Sequence, residues 1–256
     1  MRDTIFIQEG NTLSLTVEGP EAEGVPADMS NLALRAVAMV SDAGKASLSL
    51  EKHLPTASGI GGGSADAAAA ARGMLAFESR SADLEPAQND ALLSLGADIP
   101  MCLHPEPCRV RGIGELIEPV IMPGLPAVLI NPRVPVHTPD VFRGLAEKDN
   151  PPMPETLPDF EDETVLIDWL SEQRNDLEAP AIAIAPVIAE VLTALRQSEG
   201  CRLARMSGSG ATCFGIFESY EAASLAAREL AKMYRRWWIK SDQIGGQYLQ
   251  SLPLVS

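Results

Sequence analysis

The chain has 256 residues, with 20 basic and 35 acidic side chains and a formal net charge of −15. That length holds one large core or two modest ones, and that charge excludes general adhesion to nucleic acid or to anionic membranes while leaving a small anionic substrate compatible. No apolar stretch is both long and uncharged enough to span a bilayer, and four cysteines without a CxxC pair read as reduced thiols of a cytoplasmic protein.

Met1-Arg2-Asp3-Thr4 leads into a short alternating run and not into the apolar core of a signal peptide. Thr4–Gln8 and Leu13–Val17 alternate like two strands paired around Glu9-Gly10-Asn11. A helix is predicted over Asn31–Val40, started by Asp28 or Ser30, and a strand over Ala46–Leu50. Then comes Pro55-Thr56-Ala57-Ser58-Gly59-Ile60-Gly61-Gly62-Gly63-Ser64-Ala65-Asp66, which opens into five alanines. Four glycines with few large side chains let backbone N–H groups converge on an anion, and the alanine run is strong helix-forming sequence whose N-terminus would point into the loop. The segment reads as a phosphate cradle. It is not a P-loop, because Ser64-Ala65 follows Gly63 where Lys-Ser/Thr is required, and a dinucleotide fingerprint begun at Gly59 fails at Ser64. A glycine-rich surface loop with Ser64 as the helix cap stays open as the plainer reading.

Asn89–Leu95 is predicted as a short helix delivering Asp98 at its C-terminal turn. Cys102, His104 and Cys108 cluster, but three ligands on a loop stiffened by Pro105 and Pro107 make a poor metal site, and none is predicted. Met122-Pro123-Gly124 marks a break, dividing the chain into domains at 1–124 and 125–256. A strand begins at Ala127, the Pro- and acid-rich stretch from Glu147 to Glu163 reads as a solvated loop, and helices at Ile182–Gln197 and Glu221–Tyr234 alternate with strands at Cys201–Met206, Thr212–Phe217 and Trp237–Lys240. The class is α+β, in two domains.

The glycine loop resembles the second motif of the GHMP small-molecule kinases, in which Gly-Ile/Leu-Gly-Gly-Gly-Ser and an alanine-rich helix wrap the ATP phosphates. Met206-Ser207-Gly208-Ser209-Gly210-Ala211-Thr212-Cys213-Phe214 is similar to the third motif of that family, and Leu95-Gly96-Ala97-Asp98-Ile99-Pro100 to the segment carrying its catalytic aspartate. With Lys52 and Asn175-Asp176-Leu177-Glu178, these segments most resemble the branch that phosphorylates a hydroxyl of a cytidine-diphosphate-linked methylerythritol in isoprenoid synthesis.

The resemblance implies an N-terminal domain of the ribosomal protein S5 domain 2-like type and a ferredoxin-like C-terminal domain. It implies ATP and Mg²⁺ as cofactors, a small-molecule substrate, no nucleic-acid or membrane partner, and a monomer or homodimer. Nucleotide contacts are expected from Lys52, Pro55, Thr56, Ala57, Ser58, Gly59, Ile60, Gly61, Gly62, Gly63, Ser64, Ala65, Ser207, Gly208, Ser209 and Gly210. Asp98 would act on the proton of the substrate hydroxyl, with Thr138 near the reacting centre, Phe142 against the cytosine ring and Asn31 lining the cleft. Each has a bland alternative: a solvated lysine for Lys52, a turn residue for Asp98, a core phenylalanine for Phe142, a helix start for Asn31. The family opens with Pro-Ala-Lys-Ile-Asn-Leu and Gly-Tyr-His, whereas the first lysine, histidine and tyrosine here are Lys45, His53 and Tyr220. The resemblance thus implies a chain lacking the family's first strand or strands, with ATP binding kept through residues 55–65 and weak phosphoryl transfer.

Overall fold

A computed structural model describes residues 2–56, 58–80, 84, 86–245 and 252–254. They form two compact units: Met1–Thr56 with Gly61–Val120, and Ala57–Ile60 with Ile121–Gly246. Each has its own apolar core.

In the first unit β1 (Thr4–Gln8), β2 (Ser14–Glu18) and β3 (Ser47–Glu51) make a sheet in the order β1-β3-β2. The expected β1–β2 hairpin is not formed: β3 lies between them, antiparallel to β1 and parallel to β2. Alternation fixes which face of a strand is buried but not which strand it pairs with, and Ile5 and Val17 both register on Leu50, Ile7 and Leu15 both on Leu48. The connection between β1 and β2 crosses the start of β3 closely enough that a Cβ on Gly10 would lie 2.8 Å from the Ser47 amide nitrogen.

Helix α1 (Leu32–Val40) follows β2 and packs on α2 (Gly62–Phe77). The α1 cap is Asn31, whose side chain accepts from the Ala33 amide at 2.9 Å; Asp28, expected to start the helix, instead accepts from the amide of Ser30. Ala33, Ala36 and Val37 on one helix and Ala67, Ala68, Ala70 and Ala71 on the other are buried, and small side chains let two helix backbones approach. Met74 and Leu75 further along α2 are fully buried, worth about 1.5–3 kcal/mol each by removal from water. The unit continues with α3 (Pro86–Leu95), α4 (Ile99–Leu103) and the two-stranded β4 (Cys108–Arg111) and β5 (Leu116–Pro119).

The second unit is built on β6 (Leu125–Asn131), β7 (Cys201–Met206), β8 (Cys213–Phe217) and β9 (Trp238–Ile244), antiparallel throughout in the order β7-β8-β6-β9. Its helices are α5 (Thr138–Arg143), α6 (Glu163–Glu172), α7 (Glu178–Ile184), α8 (Val187–Arg196) and α9 (Tyr220–Met233). The single helix predicted over Ile182–Gln197 is two. Pro186 has no N–H to continue α7 and drives the residue before it out of the helical region, so Ala185 sits at φ −132°, ψ 84° and α8 starts afresh. A Cβ on Gly215 would come 2.9 Å from Leu195, so α8 lies directly on β8. The loop between α5 and α6 is mostly exposed as expected, yet it is pinned at one point: Phe160 is buried and meets Trp169 edge-on, ring centres 5.3 Å apart.

Candidate active site

In the first unit the glycine run becomes the start of α2. Gly61 takes the cap position at φ +68°, where an L side chain is strained, and no side chain caps the helix. Ala65 is the first amide to bond back, to the Gly61 carbonyl at 2.8 Å. The amides of Gly62, Gly63 and Ser64 are therefore left without internal partners at the positive end of a 16-residue helix. Ser64 is not the cap, which removes the plainer reading of that residue.

Beneath this turn lies Lys52, 2% exposed, so it is no solvated surface lysine. Its ammonium donates to Asp3 and, at 2.9 Å, to Asp66 Oδ2, while Asp3 Oδ1 accepts from the amides of His53 at 2.6 Å and Leu54 at 2.9 Å. The cluster ties the end of β3, the chain before β1 and the first turns of α2 together. Burial drives the Asp66 carboxyl up to about 6 despite the opposing pull of Lys52, and the nearby Asp3 charge adds to the rise. A Cβ on Gly62 would sit 3.6 Å from Lys52 Nζ, and one on Gly63 3.7 Å from Leu32, so the protein itself leaves room at both.

Asp98 does not end α3 as predicted. It stands at the cap of a further short helix, α4, exposed and making no capping bond. Arg72 on α2 holds the far end of α4 by donating to the carbonyl of Cys102 at 2.6 Å. A Cβ on Gly96 would lie 3.9 Å from Ser64 Oγ, so the segment carrying Asp98 runs beside the first turn of α2. Gly114, in the β4–β5 turn, abuts the Ala97 carbonyl so closely that no side chain fits there. Burial raises the Cys102 thiol to about 11, an unreactive state. Asn31 spends its side chain on the α1 cap and on the Pro26 carbonyl at 2.8 Å. Pro55 is buried, Thr56 and Ala65 are exposed, and Ala57 lies outside the described residues.

The second unit holds the other predicted residues. Ser58, Gly59 and Ile60 lie against the β7–β8 turn: Thr212 donates to the Ser58 carbonyl at 3.1 Å and Ser207 Oγ to the Gly59 carbonyl at 2.8 Å. Gly59 has φ +74°, and a Cβ on it would meet the carbonyl oxygen of Ser207 at 2.7 Å. A Cβ on Gly208 would meet the Gly59 carbonyl at 2.9 Å, so the two glycine turns interlock backbone to backbone. Ser209 is buried, its hydroxyl 2.8 Å from that of Thr138 at the start of α5. Phe142 is 51% exposed, no core phenylalanine, and lines a hollow of about 420 Å³ with Lys148, Asn175 and Gly208.

The sequence did not single out Asn175 as a site residue. Its amide donates to the carbonyls of Met206 at 3.0 Å and Gly208 at 2.9 Å, and its oxygen accepts from the Leu177 amide at 3.0 Å. Glu178, three residues on, accepts from the Met206 amide at 3.2 Å. Together they clamp the glycine turn from outside. The signal was the run Asn-Asp-Leu-Glu, but its partners lie about thirty residues away in sequence.

Among the described residues no group of three or more His, Cys, Asp or Glu side chains is arranged to hold a metal ion, and no helix is long and apolar enough to cross a membrane.

Residues 31–106 match the GHMP kinase N-terminal domain model and residues 162–236 the GHMP kinase C-terminal model. The chain is 49% identical over 255 residues to the 4-diphosphocytidyl-2-C-methyl-D-erythritol kinase of Roseobacter denitrificans, covering 99% of this chain and 85% of that protein. It is 51% identical over 241 residues to the enzyme of the same name from Paracoccus denitrificans, covering 94% and 83%. Among solved structures it is similar to a 4-(cytidine 5'-diphospho)-2C-methyl-D-erythritol kinase, with a TM-score of 0.69, 31% identity, and 95% and 86% of the two chains covered.

Proposed function

The chain belongs to the GHMP kinases, alongside the 4-diphosphocytidyl-2-C-methyl-D-erythritol kinases, and from that footing we propose that it transfers the γ-phosphoryl group of ATP to the 2-hydroxyl of 4-diphosphocytidyl-2-C-methyl-D-erythritol. The observation that carries the nucleotide side of this reading is the uncapped start of α2, where three amides and a helix dipole face space that a side chain on Gly62 would fill. Phosphoryl transfer depends on positioning and on stabilising charge, and fixed backbone donors supply both without reorganising.

Gly62, Gly63 and Ser64 bind phosphate oxygens through their amides. Lys52 acts from below, its ammonium shared between two carboxylates, so it fixes the loop and adds little free positive charge. Asp98, with no capping duty, accepts the proton of the substrate hydroxyl. Phe142 offers an open aromatic face on which a base stacks, and Thr138 and Ser209 offer hydroxyls toward the substrate. Mg²⁺ brought with the nucleotide would neutralise phosphate charge, and the Ser64 hydroxyl would coordinate it or a phosphate oxygen. Four free thiols and the ATP requirement support a cytoplasmic setting.

The test is a coupled assay with this substrate and ATP. Asp98→Asn is expected to lower kcat by about 10²-fold or more with KM for ATP little changed. A near-normal kcat would return Asp98 to an ordinary turn residue.

A further inference from the structure

The second unit of this acidic chain contains one hollow of opposite character. It measures about 500 Å³, has the edge strand β7 along one side, and is lined by Arg174, Arg196, Arg202 and Arg205, with Glu178 as the single carboxylate among its lining residues. The four arginines differ in their duties. Arg205 is half-buried and held, donating to the carbonyls of Leu170 at 2.7 Å and of Gln173, the residues that end α6. Arg174 is fixed by the Pro151 carbonyl and by Asp176, 2.7 Å from its Nε. Neither Arg196 nor Arg202 has an ion pair or side-chain hydrogen bond among the described residues, and both are exposed.

A solvated surface arginine needs no explanation by itself. Four in one concavity do, because carbonyl partners orient a guanidinium without cancelling its charge, and a hollow with low-dielectric walls focuses the field of whatever charge lines it. Glu178, itself engaged by the Met206 amide, offsets one of these charges, and Asp176, paired with Arg174, offsets a second, which leaves those of Arg196 and Arg202. The excess stays positive in a chain whose net charge is −15.

We propose that this hollow binds a phosphate- or diphosphate-bearing small molecule at a site separate from the ATP cradle. The planar fork of arginine matches phosphate oxygens two at a time, and several guanidinium charges in one hollow favour a polyanion over a single carboxylate. The volume is that of a small-molecule site, and the acidity of the whole chain disfavours a nucleic-acid backbone as the source of the phosphate.

The experiment titrates inorganic pyrophosphate by calorimetry into the full chain saturated with a non-hydrolysable ATP analogue, which blocks the cradle. It compares the wild type with a double variant, Arg196→Ser with Arg202→Ser, which leaves the two backbone-bound arginines in place. The wild type is expected to bind pyrophosphate with an affinity that falls as salt rises. The double variant should bind at least about tenfold more weakly, since charge-assisted hydrogen bonds are lost, while its melting temperature and kinase rate stay those of the wild type. No binding to the analogue-saturated wild type, or equal affinity in the double variant, would overturn the proposal.

Discussion

At the scale of single residues, the glycines of the cradle separate into two kinds that the sequence alone writes identically. Gly59 is required by the protein: its φ of +74° and the Ser207 carbonyl 2.7 Å from a would-be Cβ leave no room for any side chain. Gly62 is not required by the protein, which accommodates a Cβ there at ordinary contact distance, and under the proposed function its bare backbone serves the ligand. Gly59→Ala is therefore expected to cost stability, by about 1–2 kcal/mol for the backbone conformation plus the clash, and to lower the melting temperature clearly. Gly62→Ala should melt within a degree or two of the wild type yet bind ATP more weakly by calorimetry. The reverse pattern would show that the two glycines have been assigned the wrong duties.

Asp66 supplies a second residue-scale prediction, with a definite sign. Its carboxyl lies at about 6 in the folded chain against 3.8 for a free one, because burial outweighs Lys52. The folded state then holds more protons than the unfolded state between those values, so this group's contribution to stability falls as pH rises from about 4 to about 6 and stays low above that. Its charged neighbours are Lys52 and Asp3. Thermal melts of the wild type and Asp66→Asn across pH 4 to 7 should show the wild type losing stability relative to the variant, by up to about 3 kcal/mol. A difference independent of pH would mean that Asp66 is ionised throughout.

At the scale of elements, helix-forming sequence made α1 and α9 legible, but not their caps: α1 is capped by Asn31 and not by Asp28 or Ser30, and α9 by Ser219 through the Ala222 amide. The strands of the two larger sheets were legible as strands and the β4–β5 pair was not, and partners were not legible either: nothing local to β1 or β2 says that β3 will come between them. Pro186 was in plain view, yet an apolar pattern running through it outweighed it in reading one long helix. In the site, the glycine loop announced itself because conformational freedom is written in the residue type. The clamp by Asn175 did not, because its meaning lies in carbonyls of a distant turn. Asn175→Ala removes three hydrogen bonds and leaves two carbonyls to find other partners. It is expected to destabilise the chain by about 1–3 kcal/mol and, by loosening the turn that grips Gly59, to raise KM for ATP more than it lowers kcat. An unchanged KM for ATP would leave Asn175 a purely structural residue.

At the scale of the whole molecule, the charge of −15 is set against few compensating ion pairs of low exposure among the described residues. Self-repulsion of this kind is screened by salt, whereas the buried Asp3–Lys52–Asp66 cluster is not. Raising ionic strength from about 0.01 M to 0.15 M shortens the screening length from about 30 Å to 8 Å, and the melting temperature should rise by roughly a few degrees. A fall would show that surface attractions, not repulsions, dominate.

The bond from Ser207 to the Gly59 carbonyl joins residues 148 positions apart. On a ribosome the glycine loop leaves the exit tunnel long before the turn that must lock it has been translated, and the helix of alanines can wind while the loop in front of it still lacks its partner. Closing so distant a contact is an entropic step that local structure cannot hasten. Nucleotide binding therefore reports on completeness: a nascent or prematurely terminated chain ending short of the third motif would carry every residue of the cradle's first half and still be unable to hold its shape.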